Sequence, residues 1–213
     1  MLSADRLDVA GLSSPDGRNG AGPGSRARTP AAVSLTLTAI AAALAVLVVL
    51  CAVWLRSGDA RWVPASHGTV RSMLELSGAG PDTLVYDLGS GDGRVLFAAA
   101  RDFGARAVGV EINPLRWLLT QLFISRHRLR GRVTVRLGSL FDQDLRPADV
   151  VTCYLSPAAN RRLEGKLTRE LAPGTLVVSY RFGFVHLPIV SRDEQAGLTV
   201  YRIGGTAATP PAV

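Results

Sequence analysis

The densest chemistry in the chain lies in Val85-Tyr86-Asp87-Leu88-Gly89-Ser90-Gly91-Asp92-Gly93-Arg94, where an apolar run ends on a carboxylate and breaks into three alternate glycines. Glycine reaches positive φ and lacks the Cβ that would hold a ligand away from the backbone. A helix starting just after such a turn adds unpaired N–H groups at its N-terminus. A second apolar run, Ala107-Val108-Gly109-Val110-Glu111, puts another carboxylate 24 residues after Asp87. At the tip of a neighbouring strand, an acidic side chain can accept hydrogen bonds from both hydroxyls of a ribose. The two runs together describe a site for a nucleoside-bearing ligand. The glycines follow G-x-G-x-G, with Arg94 next in line. That disfavours a dinucleotide fingerprint, which needs G-x-G-x-x-G or a small final residue.

These side chains need elements that bring them to one edge. Apolar runs of strand type (LVYDLG, AVGVE, VTVRLG, DVVTCYL, GTLVVSYRF and LTVYRI) alternate with stretches of helical spacing near 66–78, 93–103, 114–129 and 158–171. Strands separated by helices of this length predict βαβ units and a mostly parallel sheet covered on both faces.

The chain has 213 residues, 47% hydrophobic and 19% charged, which suits one domain plus an appendage. Its two cysteines, Cys51 and Cys153, are too few and too far apart for a disulfide scaffold, a zinc site or an iron-sulfur cluster, so a reducing compartment and no metal are expected. The net charge of +7 comes almost wholly from arginine, Lys166 being the only lysine. The basic run Arg126, His127, Arg128, Arg130, Arg132 and Arg136 reads as a solvated face or as a docking patch for phosphate or lipid headgroups. It has no interleaved aromatic residues of the kind that stack on single-stranded nucleic acid, so a nucleic-acid partner is not expected.

The mean hydropathy of +0.22 reflects a local excess. Residues 1–30 are rich in Gly, Ser, Pro and Arg and read as a disordered tail. Residues 31–55 contain no charge, and about 20 helical residues cross a ~30 Å hydrocarbon core, so one transmembrane helix is expected there. The apolar stretch is too long for a cleaved secretory signal. A linker follows over 56–65, then the main domain over 66–204 and a short disordered tail over 205–213. Arg26 and Arg28 on one side of the span balance Arg56 and Arg61 on the other, so charge bias leaves its orientation open.

In order along the chain, DLGSGDGR (87–94), GVEINP (109–114), CYLSP (153–157) and KLTRELAPGTLVVSYRF (166–182) resemble the class I S-adenosylmethionine-dependent methyltransferases. Within that class they are similar to the small protein-lysine methyltransferases, which include archaeal broad-specificity enzymes and the mitochondrial enzymes acting on the adenine nucleotide translocase and the ATP synthase c subunit. The resemblance covers about residues 66–203. It implies a three-layer α/β/α, Rossmann-like fold with a mostly parallel sheet, here preceded by the transmembrane helix, and S-adenosylmethionine as cofactor.

Residue by residue, the resemblance places Asp87, Gly89, Ser90 and Gly91 around the methionine portion of the cofactor, with Gly93 closing the same turn and Asp87 near the ammonium. Glu111 would hold the ribose and Asn113 would border the adenosine. Ser139 occupies the place where many members carry an acidic residue beside adenine; Asp142 or Asp144 can stand in for it or can belong to a charged loop face. Tyr154 and Ser156, at the fourth strand's tip, would face the substrate. Arg94 opens a helix against the dipole, so a ligand or a carboxylate is expected to hold it. The Ser179–Pro188 run resembles the segment that closes over the substrate, with His186-Leu187 where the family usually has Trp.

An acceptor lysine titrates near pKa ~10.4, so neutralising it at pH 7 costs about 4 to 5 kcal/mol unless desolvation lowers that value. The expected function is a membrane-anchored methyltransferase acting on lysine in a protein, with its catalytic domain on the cytoplasmic side of the cell membrane. A small-molecule or lipid acceptor and a non-catalytic cofactor-binding module are the alternatives.

Overall fold

The computed structural model describes residues 30–56 and 63–205. The tail over 1–29, most of the linker and the residues beyond Gly205 lie outside the described residues.

The first helix, α1 (Pro30–Arg56), has 27 residues. Its side chains are described from Ser34 to Val49 and at Ala52. Among the described residues no helix is long and apolar enough to cross a membrane.

The α/β domain opens with α2 (His67–Leu76), capped by Ser66, whose hydroxyl accepts from the Thr69 N–H at 3.0 Å. Val70, Met73 and Leu74 recur at helical spacing on its buried side. Then β1 (Leu84–Leu88), α3 (Arg94–Asp102), β2 (Arg106–Glu111), α4 (Pro114–Arg126) and β3 (Val133–Leu137) alternate. A 3-10 turn at Leu140–Asp142 leads to β4 (Val150–Cys153), α5 (Pro157–Glu170), β5 (Leu176–Tyr180), β6 (Ile189–Asp193) and β7 (Leu198–Arg202). The central strands are buried along nearly their whole length, which only a sheet covered on both faces allows. Val85, Ala107, Val133 and Val150 pack on one side with Leu74, Leu96 and Ile124; Tyr86, Val108, Val151 and Val177 pack on the other with Leu163 and Leu167.

The strand order is β3-β2-β1-β4-β5-β7-β6, parallel from β3 through β5 and antiparallel at β7 and β6. The order reverses between β1 and β4, so the crevice beyond their C-terminal ends is where an open α/β sheet takes a ligand. The five parallel strands, β7 and four domain helices coincide with the runs marked in the sequence. Strand β6 does not: it is an edge strand with a mostly exposed face, so Ile189-Val190-Ser191-Arg192-Asp193 lacks the apolar pattern that identifies a strand.

Candidate functional site

Strand β1 carries Asp87 into the switch point almost fully buried, and its Oδ1 accepts a 2.8 Å hydrogen bond from Thr152 Oγ1 on β4, its partner in register. Burial pushes the Asp87 carboxyl up to about 7; the Thr152 hydroxyl opposes the rise, while Glu111 and Asp92 add to it. Among the described residues no cation offsets that rise.

The turn after β1 needs its glycines. Gly89, Gly91 and Gly93 have φ of +83°, +57° and +78°, in the left-handed region. The Gly89 and Ser90 N–H groups both donate to the Val110 carbonyl at 2.9 Å, and the Gly91 N–H donates to Glu111 Oε2 at 2.7 Å. The Asn113 N–H donates to Glu111 Oε1 at 2.8 Å. The carboxylate at the β2 tip is thereby clamped between two backbone donors. Burial raises its pKa against the Asn113 and Gly91 N–H groups and Arg116, which lower it. A carboxylate oxygen accepts more than one hydrogen bond, so each keeps acceptor capacity.

Gly109 has a different role in the same contact. A Cβ there would stand 2.5 Å from Leu96 Cδ1 and 2.7 Å from Ser90 Oγ, so only glycine lets the turn seat on β2. Ser90 Oγ is buried and has no hydrogen-bond partner among the described residues. A buried carboxyl raised to about 7 at the start of a glycine turn, with an unpartnered buried hydroxyl in that turn, fits a ligand that brings both a positive charge and polar atoms.

Several residues expected at the site also cap elements. Asn113 caps α4, its Oδ1 accepting from Leu115 and Arg116 N–H at 2.9 and 3.1 Å. Ser139 Oγ accepts from Phe141 N–H at 3.2 Å, and its neighbour Gly138 donates to the Glu111 carbonyl at 3.0 Å, which sets the β3 tip beside β2. Ser156 caps α5 through the Ala159 N–H at 3.2 Å. Arg94 is held by the Asp92 carboxylate and the Ala65 carbonyl, answering what offsets a cation at a helix start. Asp144 is paired with Arg146, and Asp142 is exposed.

Tyr154 stands half-buried just past β4, its ring edge-on to Tyr180 at 4.6 Å. The Arg181 guanidinium lies 5.4 Å from the Tyr180 centroid, and its interactions with Tyr180 and then Tyr154 raise its pKa above the ordinary arginine value. Leu155 reaches the first turn: a Cβ on Gly89 would meet its Cδ2 at 3.2 Å. The loop after β5 is pinned from below. Asn160 Nδ2 donates to the Phe182 carbonyl at 2.6 Å, Ser179 Oγ to the same carbonyl at 2.5 Å, and the Phe184 N–H to the Tyr201 hydroxyl at 3.0 Å. Glu164 accepts from His186 and Leu187 N–H at 2.5 and 3.1 Å. The His186 side chain is 84% exposed with Nδ1 3.2 Å from Glu164 Oε2, at the rim of this network.

The structure thus gathers Asp87, the glycine turn, Glu111, Ser139 and Tyr154 at the tips of four adjacent parallel strands. Thr152 carries no mark of a role in the sequence, and Tyr180 stands out there only as part of the run after β5. Asn160 and Glu164 leave one signal, as polar residues four apart on the side of α5 that carries Leu163 and Leu167.

Residues 87–190 match the family described as the ANTKMT methyltransferase domain. The chain is 43% identical over 122 residues to a protein-lysine N-methyltransferase of Saccharolobus islandicus, covering 57% of this chain and 76% of that protein. It is 38% identical over 123 residues to the mouse adenine nucleotide translocase lysine N-methyltransferase, covering 57% and 52%. It is 33% identical over 137 residues to the human lysine N-methyltransferase of the ATP synthase c subunit, covering 62% and 56%. The chain therefore spans about half the length of these two mammalian relatives. Among solved structures, an RNA methyltransferase from Salinibacter ruber in complex with S-adenosyl-L-homocysteine superposes with a TM-score of 0.61 at 38% identity, over 70% of this chain and 98% of that one.

Proposed function

The chain belongs to the ANTKMT methyltransferase-domain family, and from that premise we propose that it is a membrane-anchored enzyme methylating a lysine side chain of a protein, with S-adenosylmethionine as cofactor. One observation carries the catalytic reading: Asp87, Glu111 and Tyr154 stand at the tips of β1, β2 and β4, on either side of the point where strand order reverses.

S-adenosylmethionine supplies an electrophilic methyl group on a sulfonium. The chain's own residues bind and align. Asp87 receives the ammonium of the methionine moiety, which provides the cation its buried carboxyl lacks. Glu111 accepts from the ribose hydroxyls with the capacity left after Gly91 and Asn113. Tyr154 and Tyr180 wall the acceptor's path, excluding water. The positive charge of the Arg181 guanidinium and the exclusion of water disfavour a charged ammonium, so the acceptor amine loses its proton to solvent before it is aligned. No dedicated base is required.

The anchor reading rests on the sequence rather than on the described part of α1, which by itself is too short to span a bilayer: residues 31–55 hold no charge, and Leu35, Leu37, Ile40, Leu44, Val46 and Val48 are exposed. Since S-adenosylmethionine is cytosolic, the catalytic domain lies on the cytoplasmic face and the N-terminus on the opposite one. Reporters fused at either end test this; a C-terminal reporter active only outside the cytoplasm refutes it.

A second reading has one finding behind it: the similar Salinibacter ruber protein is an RNA methyltransferase. One experiment separates the acceptors. The full chain is incubated with methyl-labelled S-adenosylmethionine and membranes and RNA from cells lacking the protein, beside a Glu111→Ala control. Label in discrete protein bands, acid-stable and mapping to lysine, supports the proposal. Label only in RNA or only in lipid refutes the lysine acceptor, and cofactor binding without any transfer refutes catalysis.

A further inference from the structure

Helix α4 is apolar on both sides. Thr120 and Ile124 are buried against the sheet, and the Trp117 indole N–H donates to the Val135 carbonyl at 3.1 Å. The opposite side carries Leu115, Leu118, Leu119, Leu122 and Phe123, at positions i, i+3, i+4, i+7 and i+8, between 43% and 60% exposed. Ile112 before the helix and Leu137 at the β3 tip are 49% and 48% exposed. A domain-surface helix normally turns polar residues outward, and an apolar stripe of this length marks a contact.

The charges around the stripe say which contact. From Ile112 to Arg136 there is no Asp or Glu, and there are six arginines. Arg126, Arg128 and Arg130, at and just past the end of α4, are exposed, and none is paired with a carboxylate among the described residues, whereas Arg132 donates to the Gly104 carbonyl and Arg136 lies over the Tyr86 ring on the other face of the sheet. A second copy of this face would bring like charges together. A nucleic acid would satisfy the arginines but leave the leucines facing phosphate and water. Leucine and phenylalanine beside a cluster of arginines match the boundary between acyl chains and anionic headgroups.

We infer that the exposed side of α4 docks on an anionic lipid surface, with Arg126, Arg128 and Arg130 at and just past its C-terminal end reaching the headgroups. The inference rests on the reading of α1 as an anchor. Only residues 57–66 separate α1 from α2, a reach of at most about 35 Å. Asn113, the N-cap of α4, is hydrogen-bonded to Glu111, so a docked α4 holds the cofactor end of the sheet near the bilayer. An acceptor lysine on a membrane protein then lies within reach.

The test uses the full chain with Cys51→Ser and a nitroxide at Leu119→Cys, reconstituted in phosphatidylcholine vesicles with or without phosphatidylglycerol. Flotation reports the anchor. The ratio of oxygen to nickel-chelate accessibility reports the depth of the label, with Glu75→Cys on α2 as the control. The expected result is flotation in both lipids and an oxygen-favoured label at 119, but not at 75, on phosphatidylglycerol. Replacing Arg126, Arg128 and Arg130 with Gln should lower the docked-to-free ratio ~5-fold per charge. Flotation with a water-exposed label at 119 overturns the docking and leaves the anchor standing. Failure to float overturns both. Dipolar broadening between labels assigns the face to a second copy, and protection by single-stranded RNA without lipid assigns it to nucleic acid; either overturns the inference.

Discussion

The strongest test of the site is the pH dependence of cofactor affinity, because its sign is set by one buried group. Without ligand, Asp87 titrates near 7, held there chiefly by burial. Its ionised form is the one that attracts an ammonium, so apparent affinity follows the ionised fraction. For a pKa of about 7 that fraction is about 3% at pH 5.5 and half at pH 7, a gain in affinity of about 15-fold, or ~1.6 kcal/mol. Isothermal titration with S-adenosylhomocysteine, which carries the same ammonium, measures it directly. Thr152→Val removes a hydrogen bond that lowers the Asp87 pKa, so the rise should move to higher pH; Asp87→Asn should flatten it and weaken binding throughout. Affinity independent of pH between 5.5 and 7, or falling as pH rises, would refute the placement of the ammonium at Asp87.

The same shift acts on stability. Folding raises the Asp87 pKa from 3.8 to about 7, so between these values the folded chain binds more protons than the unfolded one. Stability should fall with rising pH across that window, by up to about 4 kcal/mol, and level off above it; Asp87→Asn should remove that slope from denaturant titrations. Glu111→Gln puts an amide N–H against the Gly91 or Asn113 N–H, and the loss of a clamped acceptor should cost at least ~10-fold in S-adenosylhomocysteine affinity. Gly109→Ala forces a Cβ onto Leu96 and Ser90; it should destabilise the fold by about 1 to 3 kcal/mol in chemical denaturation and loosen the cofactor turn. Tyr154→Phe keeps the ring against Tyr180, whereas Tyr154→Ala opens the wall, so turnover should fall much further in the alanine variant, with cofactor affinity little changed in both.

The exposed side of α4 was legible in the sequence only as part of a helix. Leucine spacing shows that residues 114–126 wind into one, but both sides are apolar, so the pattern cannot say which is buried. Similarly, the Ser179–Pro188 run announces a loop after β5, whereas the groups that hold it, Asn160, Glu164 and Tyr201, come from α5 and β7. Such contacts join residues 17 to 23 apart in the chain, and no local spacing records them.

By itself the sequence determined the alternation of strands and helices, the left-handed turn at Gly89, Gly91 and Gly93, and the carboxylates that end β1 and β2. These are properties of a short stretch of chain: periodicity, the absence of Cβ, and charge at the end of an apolar run. The tertiary structure alone decided that β4 lies beside β1, so that Thr152 meets Asp87, and that β6 closes the edge beyond β7. It also decided that Asn113, Ser139 and Ser156 cap elements at the site's border, and that Tyr180 pairs with Tyr154. The physical reason is burial. A carboxylate's pKa, a hydroxyl's lack of a partner and a leucine's exposure depend on what distant segments bring against them, and folding creates that environment.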